Sequence, residues 1–411
     1  MLDPESERYD VNALRSHFPA LAKGAAHFDG PGGSQVPDVV ADAVRDTLTA
    51  AIANRGRMTS AERFADDLVG AARQAMADLL GADPLGIVFG RSMTQLTFDF
   101  SRAIAKTWRA GDEVVVSRLD HDANIRPWVI AAQSVGATVR WAEFDPGTGE
   151  LPPENVAAVL SDRTRLVALT AASNLIGSRP DLPEISRLVH DAGAQFYVDG
   201  VHVTAHCPVE MRAMGADFFA CSPYKFLGPH CGVVAGRPDL LERLRPDKLL
   251  PSTNAVPERF ELGTLPYELL AGTTAAVNFL AELAPGPVTD RTGRRARLIE
   301  AMTLVDEHEE RLRQRIEKGL SALPGVVLHS RARTRTPTLL LTFEGREVTE
   351  AYEFLAALDV NAPAGTFYAP EPSRRLGLGD KGGLRVGLAP YSDRSDVDRL
   401  LSGLEQFLAP G

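Results

Sequence analysis

Lys225 lies in the stretch CSPYKFLGPH (221–230), between Pro223–Tyr224 and Phe226–Leu227 and just after the apolar run ADFFAC. Lysine is rarely buried without a partner. Either its stem packs while the ammonium reaches water, or a partly apolar pocket holds the amine ready to form a Schiff base. Other reactive side chains recur at comparable places. Asp199 closes QFYVD, Ser222 precedes the lysine turn, Asn174 follows RLVALTAAS, and His121 follows DEVVVSRLD. An aspartate near a lysine is also what a structural ion pair looks like. The wider set is more specific. An imine-forming amine, a carboxylate that keeps a pyridine nitrogen protonated, a flat side chain to stack on a ring, and hydroxyls at a helix start for a phosphate are the requirements of pyridoxal phosphate. The amine can then also move the α-proton of a substrate.

Such groups converge only if the elements carrying them run in parallel. Apolar runs at 86–90, 112–117, 137–144, 165–171, 195–200, 216–221 and 232–236 read as strands, and most are separated by helical stretches such as LPEISRLVHDAG. Alternation with near-continuous apolar strands indicates an α/β fold with a mainly parallel sheet covered on both faces. In such sheets ligands bind outside the carboxyl ends of the strands, where all these residues fall. Before the first strand, VNALRSHFPAL reads as a short helix. PDVVADAVRDTLTAAIAN (37–54) reads as a helix opened by Pro37, and 59–81 as one capped at Thr59 or Ser60, with Glu62 three residues after Thr59. ELAPGPVTDRTG (282–293) reads as a linker. A long charged helix, strands at 336–345 and 383–390, a helix at 348–359 and a final helix from Asp393 then form a smaller α+β unit. The expected division is an N-terminal segment (1–25), a large domain (26–285) and a small C-terminal domain (286–411).

The chain has 411 residues, 44% apolar and 24% charged, and a net charge of −10, which lacks the basic excess of a general nucleic-acid binder. Cys207, Cys221 and Cys231 form no disulfide framework and no C-x-x-C pair, which suits a reducing, cytoplasmic setting. MLDPESERYD carries no signal-peptide pattern, and no run of about 18 apolar residues is present to span a membrane.

YVDGVH followed by CSPYKFLGPH resembles the class V (fold type I) pyridoxal-phosphate enzymes, and in particular the cysteine desulfurase-like branch. The resemblance runs from HFDGPGGSQVP (27–37) through LDHDANIRPW (119–128), ASNLIGS (172–178) and FELGTLPYE (260–268) to GLRVGLAPYSDRSDVDRLL (383–401). It implies a fold type I transferase with a seven-stranded sheet in the large domain, and pyridoxal 5′-phosphate as cofactor. It implies that Lys225 forms the Schiff base, Asp199 pairs with the pyridine nitrogen, His121 stacks on the ring and His202 sits near the ring's phenolic oxygen. Asn174 faces cofactor and substrate. Ser222, Tyr224 (a histidine in many relatives), Thr94 and the backbone of Ser92 and Met93 anchor the phosphate. Thr264 resembles a residue that reaches the phosphate of a neighbouring subunit, which implies a homodimer with shared active sites. Arg385 matches the clamp for a substrate carboxylate, and Gly32, Gly33 and Ser34 line the substrate entrance. No metal is implied.

The chain departs from the cysteine desulfurase pattern at one point. Those enzymes carry a nucleophilic cysteine on a small-domain loop, yet VNAPAGTFYAPEPSRRLGLGDKG (360–382) has none. Cys231 reads as a buried, unreactive thiol, and Phe367 and Tyr368 as shapers of a substrate pocket. The expectation is therefore an enzyme acting on an amino acid through an external aldimine, as a C–S or related β/γ-elimination lyase without a persulfide. The alternatives are an aminotransferase, epimerase, cyclase or decarboxylase of specialised metabolism, or a binding protein that keeps the fold without turnover.

Overall fold

The structure is a computed structural model that describes residues 9–286 and 293–409. Residues 1–8, where a signal peptide was not expected, and half of the expected linker (287–292) lie outside the described residues. Among the described residues thirteen strands form three sheets. They are β1 (Ala26–His27), β2 (Ile87–Gly90), β3 (Glu113–Ser117), β4 (Thr138–Ala142), β5 (Thr164–Thr170), β6 (Gln195–Asp199), β7 (Phe218–Cys221), β8 (Gly232–Gly236), β9 (Val326–Leu328), β10 (Thr338–Phe343), β11 (Val360–Asn361), β12 (Ala364–Gly365) and β13 (Gly383–Gly387).

The largest sheet has seven strands in the order β2-β8-β7-β6-β5-β3-β4. Its pairs from β7 to β4 are parallel, and β8 runs antiparallel to both β7 and β2. Parallel strands need helical crossovers, and these cover both faces. That is why the inner strands are almost wholly buried, while the edge strand β4 alternates, with Thr138 and Arg140 exposed. Val115, Val167, Leu169, Phe196, Val198 and Phe219 pack into one core, while Val114, Val116, Leu166, Ala168, Tyr197 and Phe218 pack into another on the opposite face. Each fully buried side chain of this size contributes about 1.5–3 kcal/mol.

The flanking helices follow their local signals. Thr59 and Glu62 form a capping box at the start of helix Ser60–Leu80, and Gly81 ends it in the left-handed conformation. Helix Asp38–Thr49 has Pro37 as its N-cap and stops at Ala50, which is extended, so it is shorter than the expected 37–54. The charged helix Arg294–Leu320 packs on helix Tyr267–Glu282 and on the final helix Arg394–Leu408.

A four-stranded sheet, β12-β13-β10-β9, has its own core around Leu339, Leu341, Val386, Leu400 and Leu404. Ala26 and Phe28 belong to that core as well, because β1 pairs in parallel with β11. The chain start is thus tied to the C-terminal unit. Tyr9 Oη donates to the Pro390 carbonyl at 2.8 Å, and Arg15 pairs with Asp393 and Asp396 at 3.3 and 2.7 Å. Among the described residues no helix is long and apolar enough to cross a membrane.

Candidate active site

The carboxyl ends of β3, β5, β6 and β7 open onto one cavity of about 280 Å³, closed on the far side by residues of the C-terminal unit. Lys225, Asp199, His121, His202, Asn174 and Arg385 all line it. Ser92, Met93, Thr94, Ser222, Tyr224 and Tyr368 line it too.

Lys225 closes a single 3-10 turn, Pro223–Lys225, that leaves β7. Its Nζ donates to the carbonyls of Pro31 and Gly32 at 2.6 and 3.0 Å and sits 4.8 Å from the centre of the Tyr224 ring. Burial, then the nearby Arg385, pulls the ammonium down to about 7, against the opposing pull of Asp199. The amine is therefore partly neutral at physiological pH, as a nucleophilic lysine must be. Asp199 ends β6 and is 4% exposed. Burial raises its carboxyl to about 6, while the Val201 N–H at 2.9 Å and Lys225 favour the anion.

His121 caps the short turn Asp122–Asn124 by accepting the Ala123 N–H at Nδ1, 3.0 Å away. Nε2 thus carries the ring proton. Burial and then Lys225 lower its pKa to about 4, so the imidazole is neutral. Behind it, Asp120 is fully buried and accepts from the Ser117 hydroxyl and from Asn124 Nδ2 at 2.7 Å, which fixes the turn. His202 is held at Nε2 by the hydroxyls of Thr336 and Thr338, both at 2.9 Å, which leaves Nδ1 as the ring nitrogen for anything bound in the cavity. Burial drives its pKa well below the usual histidine range.

Ser92 caps helix Met93–Ala105 by accepting the Gln95 N–H at 3.1 Å, and the first residues of that helix face the cavity. β8 passes so close that a Cβ on Gly232 would lie 2.3 Å from Met93 N, so this approach requires glycine. A helix start of this length favours an anion.

Arg385, on β13, is 2% exposed. Its Nη1 donates to the Asn174 carbonyl at 3.1 Å, its Nε has no protein partner, and its guanidinium lies 3.7 Å from the centre of the Phe367 ring. Burial lowers its pKa to about 9. Asn174 Nδ2 donates to the Phe367 carbonyl at 3.0 Å, and its Oδ1 is buried without a partner. Buried polar atoms without partners are uncommon in a folded chain. The residues present therefore fit pyridoxal 5′-phosphate with an amino acid: an amine, a carboxylate, a neutral imidazole, a helix start, and a guanidinium with unused bonding capacity.

Two residues expected at the substrate entrance do not line the cavity. Gly33 and Ser34 are displaced by Pro31 and Gly32 of the same loop. Ser34 instead braces the lysine turn, its hydroxyl donating to the Tyr224 carbonyl at 3.1 Å and accepting the Leu227 N–H at 2.8 Å. Thr264 is exposed in a separate depression beside Gly90, Gln95 and Leu265. Sequence reasoning missed the carbonyl role of Pro31, the wall residues Ala123, Thr170, Ala172 and Val201, and the Thr336–Thr338 pair behind His202. The cysteines lie elsewhere. All three are buried, and burial pushes the Cys231 thiol up to about 11 and raises the other two as well.

A model of the aminotransferase class-V family matches residues 26–400. A Mycobacterium tuberculosis protein named only as uncharacterized protein MT3887 is 35% identical over 96% of this chain and 98% of its own. The aminotransferase-like protein FGM3 of Gibberella zeae is 29% identical over 98% of this chain and all of its own. The crystal structure of the cysteine desulfurase CsdA from Escherichia coli superposes with a TM-score of 0.84 at 26% identity, covering 97% of this chain and 99% of that one.

Proposed function

The chain belongs to the aminotransferase class-V family, enzymes that depend on pyridoxal 5′-phosphate, and from that premise we propose that it is a C–S or related β/γ-elimination lyase acting on an amino acid without a persulfide step. The observation that carries this reading is that Lys225 and Arg385 line one cavity whose lining contains no thiol. When bound, the cofactor supplies an electron sink that stabilises negative charge at the substrate's α-carbon.

The protein's own groups divide the remaining work. Asp199 would sit by the pyridine nitrogen, where a buried carboxylate holds a proton in place. His121 offers a neutral flat face against the ring, and the start of helix Met93–Ala105 with Ser222 receives the phosphate. Arg385 binds the substrate carboxylate with its guanidinium, and so orients the bond to be broken. Lys225 Nζ takes the α-proton; an amine near neutrality can both accept and return it. The cavity's apolar wall at Phe367 excludes water. No cysteine among residues 360–382, and three buried thiols with raised pKa values elsewhere, leave no group to take sulfur from a substrate. Elimination needs none.

The enzyme works in the cytoplasm as a homodimer in this reading. Thr264, exposed beside Leu262 and away from its own cavity, then serves the partner's site. The deciding experiment reduces the holoenzyme with borohydride, maps the modified peptide, and screens amino acids for release of pyruvate, ammonia, sulfide or a new keto acid. Modification at Lys225 with keto-acid release and no protein-bound sulfur supports the proposal. An unmodified Lys225 ends it.

A further inference from the structure

Two aromatic residues form the tip of the turn that brings the C-terminal unit to the cavity. Phe367 and Tyr368 have φ of 54° and 56°, and the Ala369 N–H closes the turn on the Thr366 carbonyl at 2.9 Å. Turns with two positive φ values are ordinarily made by Asn and Gly, because bulky residues crowd the backbone there. This turn is held from outside. The Tyr368 carbonyl accepts the Asp122 N–H at 2.8 Å, the Phe367 carbonyl accepts from Asn174, and the next helix is clamped by Arg118 on Glu371 and by Arg375 on Glu143 at 3.3 Å. Unfavourable backbone persists where surroundings over-determine it, and such places cluster at functional sites. Glycine would make the turn at lower cost, so the rings themselves are what the position retains.

The rings reach the two ends of the site. The Arg385 guanidinium carbon lies over the Phe367 ring, and Tyr368, 78% exposed, stands 5.8 Å from the His121 ring. The cavity's other acid–base side chains, its tyrosines aside, are Lys225, Asp199 and the two neutral imidazoles of His121 and His202. Once these serve the cofactor and Arg385 the carboxylate, no Asp, Glu, Lys or Arg of the lining is left to pair with a charge on the substrate's side chain.

We infer that the substrate is an α-amino acid with an uncharged, apolar side chain packed against Phe367 and Tyr368, and that these two rings determine the specificity. The inference rests on the cofactor-dependent reading above. A charged side chain beneath the turn would be desolvated without a counter-ion, whereas an apolar one would cover the exposed ring of Tyr368.

The test titrates the holoenzyme with leucine, methionine, phenylalanine, aspartate, glutamate, lysine and arginine, and follows binding by the cofactor's absorbance. The three apolar amino acids bind about tenfold or more tighter than the four charged ones. Tyr368→Ala narrows that gap at least about threefold, and Tyr368→Phe restores it. Tighter binding of any charged member, or a gap unchanged in Tyr368→Ala, overturns the inference and leaves the cofactor reading standing. A cofactor spectrum that responds to no amino acid overturns both.

Discussion

The Nζ of Lys225 lies 2.6 Å from the carbonyl oxygen of Pro31, a residue 194 positions earlier in the chain. The amine thus leaves its own turn to meet backbone acceptors from a different segment, and it does so in a cavity where burial already favours the uncharged form. Replacing this side chain removes the amine without touching those acceptors. Lys225→Ala is expected to lose covalent cofactor attachment and about 100- to 10,000-fold of turnover, the range for removing a positioned acid–base group. Its circular dichroism should match the parent. Retained activity would remove the proposed mechanism.

The lowered pKa of that amine gives a pH signature. Only the neutral amine attacks an aldehyde, so cofactor loading of the stripped protein should accelerate as pH rises through about 7 and level off above it. Arg385 is one of the groups holding the value down. Arg385→Met should move the midpoint to higher pH. Stopped-flow absorbance across pH 5.5–9.5 (a range set by the assay) reads this, and a midpoint that stays where it was would mean that the guanidinium does not act on the amine.

Asp199→Asn keeps the shape and removes the charge at the end of β6. Exchange of the substrate α-proton for deuterium should slow by about 100-fold or more, the usual loss for one preorganised electrostatic group. Cofactor affinity should change far less. Equal exchange rates in the two proteins would show that the carboxylate does not support negative charge at the α-carbon.

Cys231→Ser should leave turnover within about twofold, since a hydroxyl can replace the thiol's contact with the Thr273 hydroxyl at 3.4 Å. Iodoacetamide should not label the native protein, as all three thiols are buried. Loss of activity in this variant would revive a thiol mechanism.

A stability prediction follows from the buried pair Arg73–Glu261, joined at 2.9 and 2.8 Å, in which Glu261 also accepts the Phe89 N–H at 2.9 Å. Arg73→Met strands a carboxylate in the core and should cost about 3–5 kcal/mol in denaturant unfolding. Adding Glu261→Gln removes the stranded charge, keeps the acceptor, and should recover part of that loss.

Much of the architecture was legible because its signals are local. The strands of the large sheet are apolar runs long enough to stand out, and the Thr59–Glu62 capping box is visible as spacing alone. β1, β11 and β12 have two residues each, too short for any period to register. The antiparallel course of β8 between β2 and β7 depends on tertiary packing, and so does the early end of helix Asp38–Thr49, whose following residues are good helix formers. At the site, side chains with distinctive chemistry could be found by type. Pro31 and Gly32 act through carbonyls that every residue possesses, and the hydroxyls that hold His202 are more than 130 positions away. The turn at Phe367–Tyr368 lacks the Asn-Gly that would have announced it.

The short pairing of β1 with β11 carries a consequence for how the catalyst is put together. Gly30 packs so closely on the Leu388 carbonyl that a methyl there would come within 2.7 Å, and Pro31 lies against Gly387. The oxygens that cradle the Lys225 amine are thereby moored to the C-terminal unit, while the lysine rides on the other one. Two polypeptides made separately and divided near residue 285 would leave the amine and both oxygens on the first and their mooring, Gly387 and Leu388, on the second, and only reassembly would restore the surroundings of Lys225.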